Sequence, residues 1–292
     1  MLSGTFKECT EDGHVVRRRD LLSQFQAPLD VGGPTSSAAR FTTVPEVCAI
    51  IRGQLERSGL ASFQYEKLPD SSSFRELGEA IGCALPETDP AVQQFVDDGF
   101  ILNLRSQCGH TQDIQRQPFS TAPIALHSES SGASVERQPR VILFLCIQPG
   151  GPKTFAQTIV VPMSEVTSRL APAHLGILQK TRYKRCEHGP MIARRERHGI
   201  TFSFRDFSGD SLEWVSEAQG ATEDEVNSSI RALLMEMYDP AIAKGIQWRR
   251  GLVIAIDNQR FFHGRAAGSA EPDTQMRHLL RMRLASAAAP NA

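Results

Sequence analysis

Short apolar runs of strand length, separated by turn-forming residues, constrain the fold of this chain more than any other feature. They cover residues 100–104, 124–129, 141–147, 200–204, 252–256 and 278–284. Clusters of Pro, Gly and Ser lie between the runs, as they do between neighbouring strands of a sheet. The series predicts an antiparallel sandwich or barrel.

Helical patterns accompany these runs. Thr43, Ser73 and Thr222 are each followed by a glutamate three residues later, which is the spacing of a capping box. Apolar residues then recur at helical spacing, so each position is expected to open a helix. A strand is predicted over residues 60–65, and residues 163–245 are expected to form a partly helical insertion. The fold class is therefore predicted as mainly β with helical additions (α+β).

Neither an internal repeat nor a linker divides the sequence, so residues 1–292 are expected to form a single domain. Residues 1–40 are polar and contain Gly, Ser and Pro, which favours a loosely structured N-terminal arm. The Ala-rich residues 285–292 are expected to be a frayed tail.

Composition excludes several classes of protein. The 32 Lys and Arg residues nearly balance the 33 Asp and Glu residues, so no global field favours nucleic acid or an anionic membrane as a partner. The six cysteines are scattered without a Cys-x-x-Cys pair, which argues against a zinc ribbon or a disulfide scaffold. Since the sequence also shows no signal peptide and no membrane span, a cytoplasmic protein is expected.

Two histidines and one glutamate have the arrangement of a metal site. His127 and Glu129 stand two residues apart in an apolar run, and side chains at that spacing share one face of a strand. His263 follows another β-rich run and supplies a third donor. Two imidazoles and one carboxylate leave positions open on an octahedral ion, which suits Fe(II) that binds a co-substrate and O₂. Each motif is weak alone, because His-x-Glu arises by chance and single strand histidines are usually structural.

Arginines follow the third donor at regular spacing. In an extended segment that begins at Arg277 and continues through the predicted strand over residues 278–284, Arg277, Arg281 and Arg283 share one face. Periodicity alone favours a solvent-exposed face. The other interpretation turns this face toward a cavity that receives carboxylates, for which guanidinium groups offer paired donors. Thr154, in a Gly-Gly-Pro-Lys-Thr turn, either joins Arg277 on the same carboxylate or simply begins a strand.

At these residues the sequence resembles the taurine dioxygenase and clavaminate synthase-like family of Fe(II)/2-oxoglutarate dioxygenases. An ordered set of segments from about residue 40 to 285 carries the resemblance. It comprises His-x-Glu at 127–129, the apolar strand 141–147, the Gly-Gly-x-x-Thr turn at 150–154, the strand 251–258, His-Gly-Arg at 263–265 and Arg-His-Leu-Leu-Arg at 277–281.

The resemblance implies a double-stranded β-helix (jelly-roll) core, flanked by N-terminal helices, with iron near its mouth. It assigns His127, Glu129 and His263 to Fe(II), and Arg277 with Thr154 to the distal carboxylate of the co-substrate 2-oxoglutarate. The implied reaction couples oxidative decarboxylation of 2-oxoglutarate by O₂ to hydroxylation of an unactivated C–H bond. Desaturation and oxidative cyclisation remain alternatives.

The resemblance also bears on the substrate. Arg281 matches the position that binds the acidic group of the primary substrate in several members. This favours a small anionic substrate, such as an amino acid or a derivative in specialised metabolism. Asn103, Arg105 and Ser130 are further candidate substrate-binding residues. The alternative interpretation is that Asn103 only satisfies backbone groups and that Ser130 only forms a turn.

Two other classes of protein stay open on the sequence alone. A zinc-type hydrolase uses the same three donors to activate water, but it gives Arg277 and Thr154 no reason for their spacing. The other class is a non-catalytic jelly-roll binding protein with a vestigial metal site. All five key positions are filled, which disfavours it.

Overall fold

The computed structural model describes residues 1–23, 43–105, 116–150, 156–186, 188–268 and 276–286, and β-strands form most of its regular structure. The strands are β1 (Leu2–Phe6), β2 (Leu60–Gln64), β3 (Cys83–Leu85), β4 (Val96–Asp97), β5 (Ile101–Arg105), β6 (Ile124–His127), β7 (Val141–Gln148), β8 (Thr158–Pro162), β9 (Thr181–Tyr183), β10 (Ala193–Glu196), β11 (Gly199–Phe202), β12 (Leu212–Ser216), β13 (Lys244–Ile246), β14 (Leu252–Asp257), β15 (Phe261–Arg265) and β16 (His278–Ala285). The α-helices are α1 (Gly13–Ser23), α2 (Val44–Ser58), α3 (Ser71–Ile81), α4 (Met163–Arg169), α5 (Pro172–Leu178) and α6 (Glu223–Met237).

Two antiparallel sheets organise the part of the chain that carries the site. The large sheet has seven strands in the order β2–β14–β7–β16–β5–β4, with β3 also paired to β16. The small sheet has four strands in the order β13–β8–β15–β6. Each predicted strand coincides with a strand of the structure, so the prediction of a mainly β fold with helical additions is confirmed.

A hydrophobic core lies between the two sheets. It combines Leu102, Phe144 and Leu279 of the large sheet with Val160 and Phe261 of the small sheet. All five side chains are at most 7% exposed. The facing sides of both sheets therefore enclose an apolar interior, and the site described below opens within it.

The other face of the large sheet is covered by α2 and α3. Side chains alternate between the two faces of a strand, and on β16 this alternation places Leu280, Met282 and Leu284 under the helices. They pack there against Phe74 and Leu77 of α3. Consequently the intervening residues of β16 face the small sheet.

The capping signals locate both early helices closely. Thr43 forms the predicted capping box at the start of α2. The second helix begins at Ser71 rather than near Ser73, because Asp70 is its N-cap and its carboxylate accepts a hydrogen bond from the backbone N–H of Ser73 at 2.8 Å.

Much of the expected N-terminal arm has regular structure, which corrects that prediction for residues 2–23. Strand β1 pairs antiparallel with β12, and α1 lies against α6. A few apolar side chains hold the segment in place, since Phe6, Leu21 and Leu22 are at most 5% exposed. The polar majority of the sequence masked these anchors. Residues 24–42 and 287–292, which include most of the predicted tail, lie outside the described residues.

Between β8 and β13 the chain forms α4, α5, α6 and the strands β9 to β12. Together with the N-terminal elements they enclose a second hydrophobic core around Phe202, Trp214 and Phe262. Within the described ranges, none of the helices has the length and apolar character needed to cross a membrane.

Candidate active site

The three predicted metal ligands converge on one point. His127 is the last residue of β6 and lies directly opposite His263 of β15 in the strand register, with ring centroids 4.3 Å apart. The Oε2 atom of Glu129 lies 3.7 Å from Nε2 of His127 and 3.6 Å from Nε2 of His263. One donor atom from each residue lies within 4.8 Å of the others, so a single ion can contact all three.

Glu129 reaches this point from a turn rather than from a strand. Strand β6 ends at His127, so the strand spacing used to predict that the two side chains share a face does not apply. Instead, Asn258 holds the turn. Its Oδ1 accepts from the backbone N–H of Glu129 at 2.7 Å, and its Nδ2 donates to the carbonyl oxygens of Glu129 at 3.1 Å and Pro139 at 3.0 Å.

The environment sets the protonation that metal binding requires. Burial opposes the charge of Glu129, but Arg281 and the two histidines outweigh it and hold the pKa of the carboxyl well below its usual range. Burial lowers the pKa of His263 to about 4, and the neighbouring His127 acts in the same direction. A carboxylate and a neutral imidazole are the forms that bind a metal ion.

The orientation of His127 also fits a ligand. Its Nδ1 lies 2.8 Å from the carbonyl oxygen of Ala125. A carbonyl only accepts, so in the neutral imidazole the proton belongs on Nδ1 and the lone pair of Nε2 lies on the side of Glu129 and His263. Metal-binding histidines typically donate their second N–H in this way. The donor set of this chain therefore fits a divalent iron ion.

A cavity of about 320 Å³ opens beside the three ligands, between the two sheets. One side of the cavity is lined by the arginine-bearing face of the C-terminal strand segment, which we define as residues 277–284. This face carries Arg277, Leu279, Arg281 and Arg283. The structure therefore supports the interpretation that this face is turned toward a cavity, and not the interpretation that it is exposed to solvent. The size suits a small molecule.

Arg277 and Arg265 are the most buried arginines of the cavity lining. Arg277 is 3% exposed, its Nη1 donates to the carbonyl oxygen of Ala156 at 3.0 Å, and its Nε has no partner among the described residues. Burial lowers its pKa to about 10.

Arg265, 4% exposed, donates to the carbonyl oxygens of Pro118, Gln117 and Ala122. Neither arginine forms an ion pair with a described carboxylate, so Arg277 is placed to bind an anion from a ligand. Thr154, its predicted companion, lies outside the described residues.

Arg281 and Arg283 have a different environment. Nη2 of Arg281 lies 3.0 Å from Oε2 of Glu87, while Arg283 contacts Oε1 of the same carboxylate. Nη1 of Arg281 also lies 3.4 Å from Oε1 of Glu129. Glu87 is thus shared between two arginines that border the metal ligands. Sequence reasoning missed it, because a glutamate in a Pro-Glu loop carries no signal of its own.

The remaining candidate substrate residues divide into two groups. Ser130, which has a positive φ of 57°, lines the cavity directly after Glu129. Asn103 and Arg105 do not line it, which corrects their prediction. On β5 it is Leu102 and Leu104 that face the cavity, and alternation turns the residues between and after them to the other side. There Asn103 bonds to His278 at 3.0 Å, and Arg105 is exposed.

A buried polar network holds β6 from behind. Tyr238 accepts from the backbone N–H of Leu126 at 3.0 Å and donates to Asp206 at 2.6 Å. Arg18 of α1 lies 2.8 Å from Asp206 and 2.7 Å from Glu8. The N-terminal segment is thereby connected to the strand that ends in a metal ligand. The sequence offered no sign of this connection.

The sequence matches the family described as "Taurine catabolism dioxygenase TauD, TfdA family" over residues 43–283. This match covers β2 to β15 and most of β16, and with them the three candidate metal ligands and the arginines of the cavity. A search of curated protein sequences finds no significant match.

Solved structures share the fold at low sequence identity. The PvcB protein from Pseudomonas aeruginosa is 19% identical, with 97% of this chain and 91% of that chain covered and a TM-score of 0.60. Asparagine oxygenase (AsnO) is 14% identical over 94% and 91% of the two chains, with a TM-score of 0.61. The non-heme iron oxygenase OrfP, solved with Fe and alpha-ketoglutaric acid, is 15% identical over 95% and 92%, with a TM-score of 0.62.

The predicted family is therefore confirmed, and with it the enzyme class of an iron- and 2-oxoglutarate-dependent dioxygenase. On the extent of this match, the chain belongs to the TauD/TfdA dioxygenase family.

Proposed function

We propose that this dioxygenase oxidises an unactivated C–H bond of a small anionic substrate, most simply by hydroxylation. An amino acid or an amino-acid derivative of specialised metabolism is the favoured substrate class. The observation that carries the proposal is the position of Arg277 in the same cavity as the donors His127, Glu129 and His263. Arg277 is buried and has no ion-pair partner among the described residues. Activation of water by a hydrolytic metal site does not by itself require such an arginine.

Each group has a separate task in the proposal. His127, Glu129 and His263 hold Fe(II). Arg277, with Thr154, binds the distal carboxylate of 2-oxoglutarate, because a buried guanidinium without a counter-charge gains most from a carboxylate that enters with a ligand. Arg281, beside the ligands, binds the acidic group of the primary substrate.

Bound Fe(II) supplies the one-electron chemistry by which O₂ and 2-oxoglutarate are activated. The protein positions the bound anions and excludes water from the cavity. Arg277 and Arg281 lie on the same side of the C-terminal strand segment and so hold two anions side by side, with the metal ligands opposite. Apolar residues such as Leu102 and Phe144 line the space around them and exclude water.

The arrangement of the sheets supports a finer description of the fold. The two facing antiparallel sheets, with the ligands on the small sheet and the arginines on the large one, are consistent with the double-stranded β-helix implied by the family resemblance. Ser130, which lines the cavity beside Glu129, is proposed as a further substrate contact.

The test is an anaerobic binding experiment followed by turnover. Full-length protein is titrated with Fe(II) and then with 2-oxoglutarate, and succinate formation is followed after O₂ is admitted. We expect saturable binding of both and O₂-dependent succinate formation that increases with the correct primary substrate. A product heavier by one oxygen atom indicates hydroxylation, whereas loss of two hydrogen atoms indicates desaturation or ring closure.

Zinc-dependent hydrolysis makes the opposite prediction. Metal would bind, but 2-oxoglutarate would not bind, and turnover would not require O₂. A non-catalytic binding protein would show neither succinate formation nor metal-dependent turnover. Either result contradicts the proposed function.

A further inference from the structure

Arg205 is a cationic group in the cavity wall to which the proposed function gives no task. It lies beyond β11 and forms an isolated β-bridge with His127, so it is positioned beside the small sheet. Its side chain lines the cavity together with Glu129 and the arginines of the large sheet. Arg205 and Arg281 therefore approach the metal ligands from different walls of the same space.

The guanidinium of Arg205 has no charged partner in the described part of the chain. Its Nη2 donates to the amide oxygen of Gln117 at 3.1 Å, and no described carboxylate comes within ion-pair distance. The side chain is half-buried. Partial removal of an arginine from water without a counter-charge is unfavourable, which is consistent with an anion that arrives with a ligand.

The backbone on both sides of Arg205 is firmly held. Its own N–H donates to the hydroxyl of Tyr183 at 2.8 Å. Phe204 and Ser128 exchange hydrogen bonds on one side, and Asp206 is bound by Tyr238 and Arg18 on the other. A binding residue on such a rigid support loses little conformational entropy when it engages its ligand.

In the proposed function Arg277 receives the co-substrate carboxylate, and Arg265 donates to backbone carbonyl oxygens. Among the other charged residues that line the cavity, two cations have no matching carboxylate in the described part of the chain. Glu87 is shared by Arg281 and Arg283, so one positive charge of that pair has no counterpart apart from the carboxylate of Glu129, which faces the metal site. Asp89, the third acidic residue of the lining, accepts from the backbone N–H of Ala91 and pairs with no described arginine. Arg205 provides the second unmatched charge.

We infer that the primary substrate carries two anionic groups, one bound by Arg281 and the other by Arg205. The inference rests on the proposed function and deepens it by defining the substrate class as a small diacid, such as an acidic amino acid or a dicarboxylate. The cavity of about 320 Å³ limits the size of this diacid. Arg205 is then a determinant of specificity rather than a part of the iron or co-substrate site.

The test separates the substrate subsite from the co-substrate subsite, which also binds a dicarboxylate. Full-length protein is loaded with Mn(II) and saturated with N-oxalylglycine, an unreactive analogue of 2-oxoglutarate. Matched pairs are then titrated calorimetrically: aspartate and asparagine, glutamate and glutamine, adipate and its monoamide. In each pair the second compound lacks one negative charge but keeps the shape.

For at least one pair we expect the diacid to bind about tenfold more tightly than its amide or better, as for a charged hydrogen bond in a shielded site. Arg205→Gln should abolish this preference and leave the affinity for the amide unchanged, while Arg205→Lys should restore part of it. Arg194→Gln is the matched control, because Arg194 is a half-buried arginine of nearby β10 that does not line the cavity.

Two results overturn the inference. One is that no diacid of the panel binds more tightly than its amide to the wild-type protein, a result that needs no variant. The other is that Arg205→Gln weakens diacid and amide equally while N-oxalylglycine affinity and thermal stability stay at wild-type values. Failure of N-oxalylglycine to bind the wild-type protein instead contradicts the proposed function itself.

Discussion

The two sheets that enclose the cavity contribute opposite kinds of chemistry. The small sheet and the turn after β6 provide the electron-pair donors His127, Glu129 and His263. The large sheet provides cations, Arg277, Arg281 and Arg283, along a single strand segment. The side of the small sheet therefore carries the candidate metal ligands, together with Arg265 of β15 and Arg205, while the large sheet contributes arginines that are suited to anions.

The two walls are also assembled in different ways. The wall formed by Arg277, Arg281 and Arg283, here called the arginine wall, results from the two-residue period of one extended segment. The direction of each guanidinium therefore depends on local structure. The wall formed by His127, Glu129 and His263, here called the metal wall, depends on the register between β6 and β15 and on the contact between Asn258 and the turn after β6. Both interactions join distant parts of the sequence. We therefore expect the metal wall to be sensitive to changes outside the site, whereas each arginine should be separable from the others.

The largest effect is expected from removing a ligand of the metal wall. His263→Ala should weaken Mn(II) or Fe(II) binding by more than about 100-fold, because losing groups that merely orient a ligand already costs up to that factor. Calorimetric titration of the metal measures the effect. His278→Gln is the control, since this half-buried histidine bonds to Asn103 away from the cavity. Unchanged metal affinity in His263→Ala would contradict the assignment.

The arginine wall should divide into independent functions. Arg277→Gln should weaken 2-oxoglutarate binding about tenfold to 100-fold, the effect of losing a charged hydrogen bond in a buried site. Arg281→Gln should retain 2-oxoglutarate binding and lose turnover of the primary substrate. Calorimetry with 2-oxoglutarate and an assay of succinate formation measure the two effects. Equal loss of 2-oxoglutarate affinity in both variants would refute the division of tasks.

A smaller effect is expected from the support of Glu129. Asn258→Ala removes the acceptor and the donor that hold the turn, so metal affinity should fall about tenfold. Unfolding by urea should show a loss of roughly 1–3 kcal/mol, because buried groups remain without partners. Asn258→Asp retains the acceptor for the Glu129 N–H and should recover part of the metal affinity. If Asn258→Ala changes stability alone, the residue does not position the ligand.

The smallest effect on the site is expected from the N-terminal network, and it is measured through pH. His14 and Arg18 outweigh burial and lower the pKa of Glu8 to about 2, below its ordinary 4.5. Because the folded-state pKa is depressed, the stabilisation is complete above about 4.5 and is lost as the pH falls toward 2. Glu8→Gln should thus be less stable than wild type by roughly 1–3 kcal/mol at neutral pH, and the difference should shrink in acid.

Urea unfolding at successive pH values from neutral down to about pH 3 measures this difference. Glu11→Gln, a change at an exposed acidic residue of the same segment, should show no such dependence. A constant difference between Glu8→Gln and wild type over the whole range would show that the ion pairs do not stabilise the fold.

Part of the site could be predicted because motifs that are individually weak occur in a specific order. The alternation of residues 278–284 predicts a strand, and this strand is confirmed. The order of the motifs along the chain predicts the three ligands and Arg277; the structure brings the three donors together, and their binding of iron stays a prediction. The prediction that placed Asn103 and Arg105 at the substrate site was wrong, and the reason is also local. The period of two states which residues of a strand share a face, but it does not state which face meets the cavity.

Glu87, Asn258 and Arg205 escaped prediction because their importance depends on neighbours that are distant in sequence. Glu87 matters only because β16 places two arginines beside it. Asn258 matters only because the turn after β6 lies against it. The strand and helix of residues 2–23 escaped for the same reason, since their few apolar side chains pack against elements that are distant in the sequence, among them α6 and β6.

The sequence by itself determined the strands, the main helices and the family, and it predicted the three metal ligands whose donor atoms the structure brings together. These features depend on side-chain period and on ordered motifs. Tertiary structure alone decided that the arginine face meets a cavity, that Glu129 reaches the metal site from a turn, and that Arg205 shares the space with Arg281. The physical reason is that local periodicity specifies directions relative to one strand. Charges and donors interact over a few ångströms in space, and only the packing of two sheets defines those distances.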